Sequence, residues 1–125
     1  MKLTTPLKNV RGLGSAKEGV KHFWHQRVSA VALIFLVIWF LASLVANVGA
    51  SYNDVVDYLS QPLSAVLLLL LVLVGFYHMR LGLQVVIEDY ITKPGTKIAL
   101  LMLNDFAAVA IGLVCVFSVL KISLS

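Results

Sequence analysis

Hydrophobic and polar positions are sharply segregated along this chain. From Val28 to Asn53 there is no Lys, Arg, Asp, Glu or His, and the same holds from Leu63 to Phe76, where the apolar pattern thins but continues to Ile87. A third apolar run covers Phe106 to Leu120, and Ile98 to Leu103 extends it backwards across Asn104 and Asp105. A membrane-crossing helix needs about 20 such residues. The pattern therefore predicts three transmembrane helices at roughly 26–49, 63–88 and 97–120, in an all-α membrane protein with a single membrane-anchor domain over 1–125.

Local signals set the expected ends. Ser15-Ala-Lys-Glu18 fits a capping box, so helix is expected from about residue 16, lying partly in the interface before it enters the membrane near Arg27. Asn47-Val-Gly49 reads as a helix end and Ser60-Gln-Pro62 as a start. Lys93-Pro94-Gly95 reads as the break after the second helix, with Thr96 as cap of the third. Val48-Gly-Ala50 mimics a signal-peptidase site, but the apolar run is longer than a signal core and its polar lead is long, so the first span is read as retained.

Composition agrees with the pattern: 60% of the residues are hydrophobic and 13% charged, about half the charge of a soluble domain. One cysteine, Cys115, excludes an intrachain disulfide or a Cys-based metal site. Nothing points to nucleic acid. The position of the charges matters more than the net +4. Lys2, Lys8, Arg11, Lys17, Lys21 and Arg27 face one acid, Glu18, in the lead; the first loop holds Asp54 and Asp57; the second holds Lys93 and Lys97. The positive-inside rule then puts the N-terminal segment 1–25 and the second loop on the cytoplasmic or matrix side. The lead lacks the Arg- and Ser-rich look of a transit peptide, which favours a bacterial inner membrane over a mitochondrial one.

Candidate chemistry gathers in the second helix, at YHMRLGLQVVIEDY, residues 77–90. His78 lies deep in the span, where polar groups are costly and are usually functional or paired. Neutral imidazole is a common haem and metal ligand. Gly75 and Gly82, three and four residues away, share its face. They leave either a recess for a planar macrocycle or room for close helix packing. Asp89 follows His78 by 11 residues, about 20° past three full turns, so it falls on the same face about 16 Å nearer the inner side. Tyr90 beside it is a candidate quinone hydrogen-bond donor or an interfacial anchor. Arg80 either snorkels or pairs with a propionate or an acid, and Asp105 either sits near the interface or pairs with a base. His22 and His25 precede the first span, so a second axial ligand must come from another chain. Two other classes fit the same residues: a cofactor-free tether, and a small transporter in which His78, Arg80 and Asp105 relay protons.

The stretch around His78, Gly82 and Asp89-Tyr90 resembles the second-helix motif of the succinate dehydrogenase membrane anchor family, in respiratory complex II. The lead GVKHFWHQRVSAVAL, residues 19–33, with Arg27 followed by the small hydroxyl residue Ser29, is similar to that family's approach to its first helix. The partner cytochrome b subunits carry a related lead, but their haem helix usually continues with Arg-His and an Asp, where this chain has Gln84-Val-Val and then Asp89-Tyr90. The resemblance implies haem b shared with a cytochrome b subunit, with His78 as one axial ligand to the haem iron and Gly82 packing against it. Arg27 is implied near the propionates or the quinone pocket. Tyr90 and Asp89 are implied at a ubiquinone site. The resemblance also implies that iron–sulfur and flavoprotein subunits dock on the inner side and that succinate is oxidised on another chain. Arg80 departs from what the family leads one to expect.

Overall fold

The computed structural model describes residues 6–7 and 18–125. It contains four helices: α1 (Glu18–Ala46), α2 (Tyr52–Ser60), α3 (Pro62–Tyr90) and α4 (Pro94–Leu124), with no strand among the described residues. Three of them are long and apolar enough to cross a membrane. In lipid, backbone N–H and C=O groups must be satisfied within the segment, and a helix does this without help from neighbours.

α1 is one continuous rod from Glu18, in line with the helix expected from about residue 16, and His22 and His25 lie on it ahead of the apolar run. The expected capping residue Ser15 lies outside the described residues. The helix ends at Ala46; Asn47 donates its side-chain amide to the Ser43 carbonyl at 2.8 Å, and Gly49 turns the chain with φ of 80°, a conformation that favours glycine.

α2 is a helix that hydropathy did not predict. Ser51 and Asp54 form a reciprocal capping box: the Asp54 N–H donates to Ser51 Oγ at 3.2 Å and the Ser51 N–H to the Asp54 carboxylate at 3.3 Å. Its acids Asp54 and Asp57 stay exposed, while Val55, Val56, Tyr58 and Leu59 turn partly inward. Tyr58 Oη and Ser43 Oγ are 2.7 Å apart, tying α2 to α1. Ser60 Oγ lies 3.1 Å from the Ile122 carbonyl, tying it to the end of α4.

Pro62 opens α3 at its first turn, as expected. The break after α3 is shorter than expected. α3 runs on to Tyr90, and Pro94 is the first turn of α4, where a missing N–H costs nothing. Thr96 is therefore inside α4, and the cap position belongs to Lys93, which makes no side-chain cap bond.

α3 is the middle helix. It packs against α1 on one side and α4 on the other, α2 closes the end formed by α3 and α4, and α1 and α4 do not pack on each other. Buried apolar residues are few, Leu36, Ala65, Leu81, Ala108 and Val119 among them, while Phe35, Ile38, Val109, Leu113 and Phe117 are exposed. Such a surface suits hydrocarbon or other membrane helices, not water. The chain is a multi-pass membrane protein.

Candidate functional site

His78 sits on the side of α3 that meets α1. Its half-buried ring comes within 2.9 Å of Ser29 through Nδ1, and Ser29 Oγ in turn donates to the Gln26 carbonyl at 3.0 Å. Among the described residues Nε2 has no hydrogen-bond partner, and it lies on an open face of the chain rather than enclosed within it. One turn back along α1, His25 Nδ1 lies 2.5 Å from the hydroxyl of Tyr77, with ring centroids 6.1 Å apart. Neighbouring residues of α3, Tyr77 and His78, thus reach residues four apart on α1. His22 continues this stripe toward the inner end, and its Nε2 is buried without a partner among the described residues. The sequence reading assigned no contact to Ser29, His25 or His22. Their spacing of three or four residues is the helix-face signal that groups them.

The two glycines flank this contact. A Cβ added at Gly75 would meet only Leu33 Cδ2 at 4.0 Å, and one at Gly82 only Gln26 Nε2 at 3.9 Å. Both are ordinary van der Waals distances, so the packing of α1 on α3 would accept alanine at either position. Close approach of these two helices does not by itself demand glycine here.

Asp89 and Tyr90 end α3, exposed, well below His78. Tyr90 borders a small groove of about 220 Å³ with Ile91, Thr92, Lys93 and Thr96. Glu88 is held by the Gln84 amide at 3.0 Å, leaving Asp89 as the carboxylate beside Tyr90 without a recorded partner among the described residues. Arg27 is not brought to His78. Two positions before Ser29, it lies about 200° around α1, and its guanidinium stacks on Phe23 at 5.0 Å.

Arg80 and Asp105 find each other: Arg80 Nε donates to Asp105 Oδ1 at 2.6 Å. Next to them Asn104, buried, donates its amide to the Arg80 carbonyl at 3.0 Å. The pair closes one end of an apolar groove of about 640 Å³ between α3 and α4, bordered by Phe76, Tyr77, Val109 and Gly112. Both residues are about ten positions from the short connection between the helices, so antiparallel packing puts them at one depth. No group of three or more His, Cys, Asp and Glu side chains forms a metal cluster among the described residues.

Comparison with known proteins matches this sequence to one family. The profile described as succinate dehydrogenase/fumarate reductase transmembrane subunit matches residues 1–120. The succinate dehydrogenase hydrophobic membrane anchor subunit of Paracoccus denitrificans is 33% identical over 124 residues, covering 99% of this chain and 95% of that one. Its counterpart in Rickettsia bellii is 39% identical over 82 residues, 66% of each chain, and that of Rickettsia conorii 38% over 80 residues, 63% of this chain and 64% of that one. No solved structure matches significantly. The chain belongs to the succinate dehydrogenase/fumarate reductase transmembrane subunit family.

Proposed function

We propose that this chain is the hydrophobic anchor subunit of a succinate:quinone oxidoreductase in a bacterial inner membrane, with its N-terminus cytoplasmic. It pairs with a cytochrome b subunit to hold haem b and contributes to a ubiquinone site. It also docks the iron–sulfur and flavoprotein subunits, which deliver electrons from succinate. The observation that carries the haem assignment is the Nε2 of His78: a nitrogen midway along a membrane helix with no partner among the described residues. An unpartnered nitrogen in apolar surroundings is costly unless something occupies it. The flanking glycines support the fit, because neither is required by the packing of α1 on α3. His78 would supply one protein ligand to the iron, and a second would come from the partner subunit.

Haem bound there would supply a one-electron redox centre. The residues of this chain would do the rest: His78 would ligate the iron, Gly75 and Gly82 would keep the face flat, and α1 would hold the imidazole from behind. Arg27, on the far side of α1, is left out of the haem site and kept for the quinone pocket or the partner surface. At the inner end of α3, Tyr90 donates its phenol proton to a quinone carbonyl oxygen, and Asp89 holds a base of the partner chain.

A reduced-minus-oxidised absorption spectrum of the intact complex tests the first part. A b-type band reducible by succinate, lost in His78→Leu, is the expected result, and a flat spectrum from an intact complex removes haem from the assignment. Tyr90→Phe tests the second. Quinone reduction is expected to fall by about tenfold or more, as for loss of a hydrogen bond worth roughly 1.4 kcal/mol, while dye reduction by the soluble subunits is unchanged. Equal wild-type rates in both assays would withdraw Tyr90.

A further inference from the structure

Ser29 is buried in the seam between α1 and α3, only 6% exposed. Its Oγ touches two polar atoms, the Gln26 carbonyl oxygen at 3.0 Å and His78 Nδ1 at 2.9 Å. A hydroxyl has one proton to give. Given to His78, that proton would leave Ser29 Oγ and the Gln26 oxygen facing each other at 3.0 Å with no hydrogen between them, two lone-pair-bearing atoms in repulsive contact. Given to Gln26, it leaves Oγ free to accept from a protonated Nδ1, and both contacts become hydrogen bonds. The second arrangement gains one hydrogen bond and removes one repulsion. It places the imidazole proton on Nδ1 and the free lone pair on Nε2.

We propose that Ser29 is a positioning residue that, anchored on the Gln26 carbonyl, fixes the Nδ1-protonated tautomer of His78 and presents Nε2 as the ligand atom. The inference rests on the haem reading above and extends it from which residue ligates to what sets that residue's donor strength. The bond between His25 and Tyr77, one turn away, joins the same two helices. A ligand histidine that donates its second N–H to an acceptor is oriented and made more basic. More electron density on the imidazole favours the oxidised iron, so this contact lowers the midpoint potential. Ser29 touches neither iron nor quinone and acts only through His78.

The test uses the assembled complex carrying the wild-type chain, His78→Ala, Ser29→Ala or Ser29→Thr, and reads haem per complex, midpoint potential and the low-spin EPR signal of the oxidised haem. Ser29→Ala is expected to bind haem about 10–100-fold more weakly, with a raised midpoint and altered g-values. Ser29→Thr, whose hydroxyl makes the same bond back to the helix carbonyl, restores all three. A change in helix packing alone would move thermal stability and leave the potential in place. Ser29→Ala at wild-type values in every readout overturns the role of Ser29 and leaves the haem reading standing. Wild-type complex without haem, or haem indifferent to His78→Ala, overturns both. Should Ser29→Ala not assemble, Ser29→Cys, similar in size but a weaker acceptor, must raise the midpoint in the same sense; a wild-type value there overturns the proposal as well.

Discussion

The two seams of α3 are built on different chemistry. Toward α1 the contacts are neutral hydrogen bonds, Ser29 with His78 and His25 with Tyr77, and ring nitrogens are left over, His78 Nε2 and the buried His22 Nε2 among them. Toward α4 the contacts are an ion pair, Arg80 with Asp105, an amide on a backbone carbonyl, and Phe76 beside Gly112, where an added Cβ would meet the ring at 3.7 Å. The α4 seam cancels its own charge within the chain, and its polarity is explained by packing alone. The α1 seam holds ring nitrogens, His78 Nε2 and His22 Nε2, that nothing in the described residues satisfies. A deep polar group that is paired internally is structural, and one that is poised but unpaired points to a ligand.

The largest effect should come from breaking the ion pair on one side only. Asp105→Ala leaves Arg80 alone in a membrane helix, where a single charge costs about 3 kcal/mol. A clear fall in the melting temperature of the purified complex is expected, and the double variant Arg80→Leu with Asp105→Leu should recover most of it. If the double variant is as unstable as the single, the pair has a role beyond mutual neutralisation. The neutral seam should respond less. Tyr77→Phe removes one interhelical hydrogen bond, worth about 0.6 kcal/mol in membranes, and should leave the haem band in place; loss of the band would assign Tyr77 to the ligand site. Smallest of all is Gly82→Ala, whose new methyl meets only Gln26 Nε2 at 3.9 Å, so assembly and melting should be unchanged. Gly82→Leu, whose side chain extends well past that methyl, should then lower haem per complex. Full haem content in Gly82→Leu would reduce the glycine to a packing residue.

Much of this was legible in the residues. The three apolar runs became three long helices, Pro62 opened α3, and Asn47 to Gly49 ended α1. The resemblance carried by His78, Gly82 and Asp89-Tyr90 agrees with the family match over residues 1–120. Other features were misread for identifiable reasons. Pro94 looked like a breaker because a proline inside a helix breaks it, whereas the same ring at the first turn begins one. α2 was hidden because Asp54 was counted as a loop charge, although Ser51-Tyr-Asn-Asp54 is a capping sequence. What the capping signal near residue 16 did not show is which face His22 and His25 present; the helix runs through both as expected, and only the packing sets His25 against Tyr77.

The sequence by itself determined the helices and the depth of each polar residue along them. A long apolar stretch in lipid has no other way to satisfy its backbone, and helix rise converts residue number into height. It did not determine which faces meet. In a membrane helix every side is apolar, so periodicity does not separate a face turned to lipid from one turned to a neighbour. Lipid tails are as apolar as leucine, so helices are brought together by small residues and by a few polar contacts. Only the tertiary structure decided that α3 stands between α1 and α4, that Arg80 meets Asp105, and that the imidazole of His78 rests on Ser29, because each of these bonds joins residues 25 or 49 positions apart.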